Sequence, residues 1–241
     1  MERYKTRGIV LLTTKYGEKD LVVQLLTERF GMHSFLVRGV RSLRGHGSKL
    51  ALFQPLFCLE IDGITNNKSE LDYISEVRNA FVLRTIPFDI RKSTIALFMT
   101  EIIFKLVREK EHNRELYGFI ENSIRCFDVL QEGVSNFHLW FFVHLLTMIG
   151  FHPGNDYMND CLFDMEEGRY TKEHIFHENH LSKEESGLLD WLLRVTAEDL
   201  KNLQLRRNQR IEFLEKMVKF SSIHLENVGK INSLEILHGI F

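Results

Sequence analysis

The sequence predicts an α+β chain: a small five-stranded β-barrel first, then an all-α helical domain interrupted by a small β-hairpin insertion. Three observations predict it. Up to about residue 80 the chain is a series of short β-rich runs broken by Gly, Asn and Asp. After Pro87 the apolar residues change to helical spacing. Between two later helices, residues 155–179 lose that spacing and flank the turn Glu166-Glu167-Gly168.

Strands are expected near residues 7–14, 20–27, 32–41, 56–62 and 71–78, with Tyr16-Gly17-Glu18 and Phe30-Gly31 as turns and 63–69 as a hairpin loop. The fourth run alternates, with Phe57, Leu59 and Ile61 on one face and Cys58, Glu60 and Asp62 on the other, as a half-buried strand requires. Five strands in about 75 residues is the size of an OB-fold barrel.

In the second part, Ile95, Phe98, Met99, Ile102 and Leu106 form one apolar stripe. A second helix is expected behind Asn113, and a third over 136–149, capped by Ser135 and stopped at Gly150 with Pro153 beyond. That third helix is apolar on every side, through Leu139, Trp140, Phe141, Phe142, Leu145 and Leu146, which makes it the central helix of the bundle. Ser182-Lys183-Glu184-Glu185 is a capping box opening a helix that buries Leu188, Trp191, Leu192 and Val195, and a longer helix follows over 208–226. The expected domains are 1–80, the OB barrel, and 81–241, helical with the insertion at about 155–180.

Composition narrows the function. The 44% apolar content supplies real cores. The longest apolar run, 139–151, is shorter than the roughly 20 residues of a membrane helix. The charged N-terminus does not read as a signal peptide, and the isolated Cys58, Cys126 and Cys161 suit a reducing compartment. A cytoplasmic protein is therefore expected. The net charge of −2 conceals an asymmetry: residues 1–50 hold ten basic against four acidic side chains, a local +6 that leaves −8 for the rest. No phosphate-binding glycine loop, nucleophile elbow, His-Glu-x-x-His or dinucleotide glycine run is present, so the sequence points away from an enzyme.

Gly8-Ile9-Val10-Leu11, Tyr16-Gly17-Glu18-Lys19-Asp20 and Leu26-Thr27-Glu28-Arg29-Phe30-Gly31 resemble the opening of the RecO family of bacterial recombination mediators. Val37-Arg38-Gly39-Val40-Arg41, Phe53-Gln54-Pro55-Leu56 and the C-terminal Ile231-Asn232-Ser233-Leu234-Glu235-Ile236-Leu237 fit the same family. The resemblance implies an OB barrel followed by a helical domain. It also implies a DNA repair protein that binds and anneals single-stranded DNA, contacts the C-terminal tail of the single-strand binding protein, and with a RecR-type partner helps load a RecA-type recombinase. Many family members hold structural zinc with four cysteines in the helical domain. Here only Cys161 remains of that set, with His174, His177 and His180 nearby in sequence, and no zinc is expected.

Single-stranded DNA needs cations for phosphates and flat side chains for bases. Arg38, Arg41, Arg44 and Lys49 run from the third strand into a Gly-rich loop and are the first candidates, with Lys5, Arg7, Lys15 and Lys19 behind them. Tyr4, Tyr16, Phe30, Phe35 and Tyr73 are the available rings, none singled out, so phosphate contacts are expected to dominate. Arg206, Arg207 and Arg210 form a second basic cluster, for DNA or for an acidic partner tail. The rival readings are a protein-interaction scaffold whose barrel no longer binds nucleic acid, and a metal-dependent enzyme using His174, His177 and His180.

Overall fold

The computed structural model describes residues 2–40, 47–66, 71–107, 112–154, 156–226 and 228–240, without the side chains of 47 and 48. The chain forms two compact units, Met1–Asp128 and Val129–Phe241. The first therefore carries two helices beyond the barrel.

Its strands are β1 (Arg3–Tyr16), β2 (Asp20–Thr27), β3 (Gly31–Val37), β4 (Cys58–Ile64) and β5 (Asp72–Asn79). They close into a barrel in the order β1-β2-β3-β5-β4. A short turn, α1 (Gly47–Leu50), precedes β4. The long β1 serves both neighbours, pairing antiparallel with β2 along its second half and with β4 along its first. Closure comes from a parallel seam of two residue pairs, Phe35↔Asp72 and Leu36↔Tyr73. Alternate residues fill the interior: Val10, Leu21, Val23, Leu25, Phe35, Leu59 and Ile61 are all buried.

Two boundaries differ from the sequence pattern for a backbone reason. The fourth strand starts at Cys58, because Leu56 takes a left-handed conformation (φ 62°) and gives its N–H to the Val10 carbonyl, at the β1 bulge. The third ends at Val37, because Gly39 is left-handed (φ 68°).

Behind the barrel, α2 (Ile90–Leu106) packs on β1 and is capped by Asp89, whose carboxylate accepts the Arg91 N–H at 2.8 Å. α3 (Arg114–Val129) starts behind Asn113, whose side chain accepts the Leu116 N–H at 2.9 Å. At its far end the Asp128 carboxylate accepts the backbone N–H groups of Arg84, Thr85 and Ile86 at 2.7–2.9 Å, fixing the link from β5 to α2. Burial pushes the Asp128 pKa up, but these three bonds and Lys92 outweigh it and hold the carboxyl below its usual range.

In the second unit, α4 (Phe137–Met148) is the central helix, touching α5 (Lys183–Arg194), α6 (Arg207–His224) and the 3-10 turns Val134–Asn136 and Ala197–Asn202. The cap expected at Ser135 does not form. Val134–Asn136 is a 3-10 turn entered from a left-handed Gly133, and the Asn136 amide donates to the Leu200 and Leu203 carbonyls. The capping box at Ser182 does form, with Ser182 Oγ accepting the Glu185 N–H and Glu185 accepting the Ser182 N–H. The C-terminal residues expected only as a tail form α7 (Ser233–Ile240).

The insertion is a small sheet of β6 (Leu162–Asp164), β7 (Arg169–Thr171) and β8 (His180–Leu181), in the order β7-β6-β8. Phe163 is fully buried and meets Tyr170 at 5.1 Å and Phe220 of α6 at 5.5 Å edge to face, while Tyr157 closes on Tyr170 at 5.3 Å. Asp164 makes the turn by accepting the Glu166 and Glu167 N–H groups.

Candidate nucleic-acid interface

Strand register gathers one group of cations at one end of the barrel. Tyr16 pairs with Asp20 across the β1–β2 turn, and Leu21 pairs with Val37, so the end of β1, the turn and the exit of β3 are neighbours. Lys15, Lys19 and Arg38 all stand there, exposed. Asp20 Oδ1 accepts the Gly39 N–H at 2.8 Å and so fixes the chain leaving β3. Among the described residues, no carboxylate lies within ion-pair distance of these three side chains. Lys49, on α1, is likewise exposed. Arg41 and Arg44 lie outside the described residues.

Lys5 and Arg7 stand on the other half of β1, opposite β4. Lys5 is paired with Asp62 at 3.7 Å. Arg7 donates from Nε and Nη2 to Glu28 at 2.9–3.0 Å and from Nη1 to both oxygens of Glu121 at 3.0–3.1 Å. These bonds raise the Arg7 pKa and lower that of Glu28. The neighbouring cavity, about 420 Å³, is lined by Lys5, Arg7 and Arg78 but also by Glu28, Glu60, Asp62 and Glu76. Four carboxylates against three cations make it a poor path for a polyanion.

The aromatic residues sort in the same way. Phe35 and Tyr4 belong to the core, and Tyr4 donates its hydroxyl to Asp72 at 2.5 Å, with burial pushing its pKa upward. Phe30 packs edge-on to Tyr4 at 4.8 Å, under Arg29. Tyr16, however, is 54% exposed at the cationic end. Tyr73 is half-buried, and the Arg38 guanidinium stands 4.4 Å over its ring centre. The sequence offered both residues separately; only the β3–β5 seam brings them together.

In the helical unit the second basic cluster divides. Arg206 and Arg207 are exposed at the start of α6, with Arg207 also donating to the His238 carbonyl. Arg210 turns inward, donating to the Leu205 carbonyl at 2.8 Å and to Asn136 at 3.4 Å, and burial lowers its pKa. His138, beside it, is buried and its pKa is pushed down to about 3 by desolvation and by Arg210.

The histidines of the insertion do not fit a zinc site. His177 lies 3.4 Å from Asp164 and accepts the Asn179 N–H, His180 is 2.9 Å from the His177 carbonyl, and His174 packs on Phe176. Cys161 is buried. Among the described residues, no three His, Cys, Asp or Glu side chains stand together as metal ligands would. No described helix is long and apolar enough to cross a membrane.

Comparison with known proteins covers almost the whole chain. Residues 1–88 match the family described as Recombination protein O N terminal, and residues 87–235 match Recombination protein O C terminal. Similar curated proteins include the DNA repair protein RecO of Azobacteroides pseudotrichonymphae, 32% identical over 239 residues and covering 99% of each chain. Those of Phocaeicola vulgatus and Flavobacterium johnsoniae are 33% and 34% identical, covering 98% of each chain.

Proposed function

Because this chain belongs to the RecO family of recombination mediators, we propose that it binds and anneals single-stranded DNA at the cationic end of its OB barrel. Its relatives support a role in DNA repair and recombination. The observation that carries the DNA reading is that Lys15, Lys19 and Arg38 share one barrel end without carboxylate partners among the described residues, while Lys5 and Arg7 are already paired. Unpaired cations attract phosphate and release counterions from the strand. Lys49 and the sequence positions Arg41 and Arg44 extend the proposed path, and Arg7 is left out of it.

The protein works by binding alone, in the cytoplasm at the nucleoid. Arg206 and Arg207 offer the acidic C-terminal tail of single-strand binding protein an exposed basic helix start, and Arg210 supports that turn from inside. A RecR-type protein and, through it, a RecA-type recombinase complete the set of partners. A scaffold reading draws on a different surface: an apolar crevice of about 160 Å³ lined by Pro55, Phe57, Ile86, Pro87 and Leu97, in a stretch of chain that also exposes Val82, Phe88 and Ile90 at 67–83%.

The test is fluorescence anisotropy of labelled oligo-dT against salt, for wild type and an Arg38/Arg41/Arg44→Ala variant. Weaker binding with a shallower salt slope supports the path. Unchanged binding moves it to Arg206 and Arg207, and no binding by wild type at low salt selects the scaffold.

A further inference from the structure

Arg38 differs in kind from the lysines beside it. Lysine is a hydrated point charge on a flexible stem, whereas guanidinium is planar and stacks on flat partners. The Arg38 group stands 4.4 Å over the Tyr73 ring, and the residue is exposed, so the cation is held against the ring while Arg38 remains within reach of solvent. Tyr73 is itself held: its backbone is in register with Leu36 in the closing seam, and its hydroxyl accepts the Asn66 amide at 3.2 Å. The Gly39 N–H bond to Asp20 Oδ1 fixes the main chain just after Arg38.

From this geometry we infer that Arg38 and Tyr73 form a stacking site for an unpaired nucleobase, which lies on the open face of the guanidinium while Tyr73 positions that group from below. The inference rests on the DNA reading proposed above and deepens it: at this corner the protein takes a base and not only a phosphate. The cation over the ring is pre-organised, so less rotamer freedom is lost when the base arrives. The contact tolerates any sequence, because every base presents a π-face.

The experiment compares oligo-dT with an abasic oligonucleotide of equal length and charge, binding to wild type, Arg38→Lys, Tyr73→Leu and Tyr73→Phe. Wild type is expected to prefer oligo-dT by about five-fold or more. Arg38→Lys keeps the charge and the salt slope but loses the preference. Tyr73→Leu weakens the preference and Tyr73→Phe restores it. A preference that survives Arg38→Lys overturns the inference, as does equal binding of the two strands by wild type, and both results leave phosphate binding intact. Failure of wild type to bind either strand at low salt overturns the DNA reading itself. Should Tyr73→Leu fail to fold, Arg38→Lys still decides, since Arg38 is on the surface.

Discussion

Gly63 faces Tyr4 across the β1–β4 ladder, and a β-carbon placed on it would stand 2.5 Å from the Tyr4 ring. The ring has little room to retreat, being tied through its hydroxyl to Asp72 and packed against Phe30. Gly63→Ala is therefore expected to cost about 1–3 kcal/mol. Urea unfolding followed by circular dichroism measures it, and an unchanged midpoint would show that the ring moves aside freely.

Asp128→Asn tests the carboxylate that gathers three backbone N–H groups. The amide has one accepting oxygen and no charge to set against the buried Lys92, so the loss should be about 2–4 kcal/mol. The sign of the pH effect follows from a folded pKa below the unfolded one. Asp128 and Glu28 stabilise the protein above roughly pH 4 and lose that contribution as pH falls further. Melting temperatures between pH 6 and pH 3 should fall for wild type and fall less steeply for the Asn variant.

His138 acts at a higher pH. Burial holds its folded pKa near about 3, so the unfolded chain takes up a proton below about 6.5 that the folded chain refuses. Its contribution is complete above that pH and declines toward acid, by about 1–2 kcal/mol between pH 7 and pH 5. His138→Gln should flatten this part of the stability curve of the helical unit; an unaltered curve would mean that His138 titrates normally in the fold.

The hairpin insertion should depend on rings and not on metal. Phe163→Ala, which empties the site between Tyr170 and Phe220, is expected to cost about 3–5 kcal/mol. EDTA should leave the wild-type melting temperature where it is. A drop on chelation would overturn this account.

Lys15→Ala and Lys19→Ala should each reduce the salt slope of oligo-dT binding by about 0.7, the value for one phosphate contact on a single strand. Lys5→Ala, which removes a cation already opposite Asp62, should leave the slope unchanged. Equal effects at all three positions would argue for diffuse attraction by the whole N-terminal segment.

What could be read from sequence was whatever depends on near neighbours. The Ser182–Glu185 box and the Asn113 cap need three residues of context, and the alternation of Leu59 and Ile61 needs only their own strand. The Ser135 cap was misplaced because the turn there is set by distant carbonyls, those of Leu200 and Leu203. The site shows the same division. Charge density picked out the N-terminal cations, but their sorting depends on remote residues: Arg7 finds Glu121, 114 positions away, and Arg38 finds Tyr73 through the barrel closure. No local motif encodes either meeting.

The parallel seam between β3 and β5 joins the barrel through two residue pairs, against eight in the β1–β2 ladder. Cooperative opening begins where the fewest bonds must break. Amide protons of this seam should thus exchange with solvent before those of the β1–β2 hairpin, at a free energy well below that of global unfolding. The opening would part Leu36 from Tyr73 and release the ring from beneath Arg38. The barrel's least protected edge and its stacking corner are then one place, and a strand bound there would register in an exchange experiment as slowed breathing of the seam.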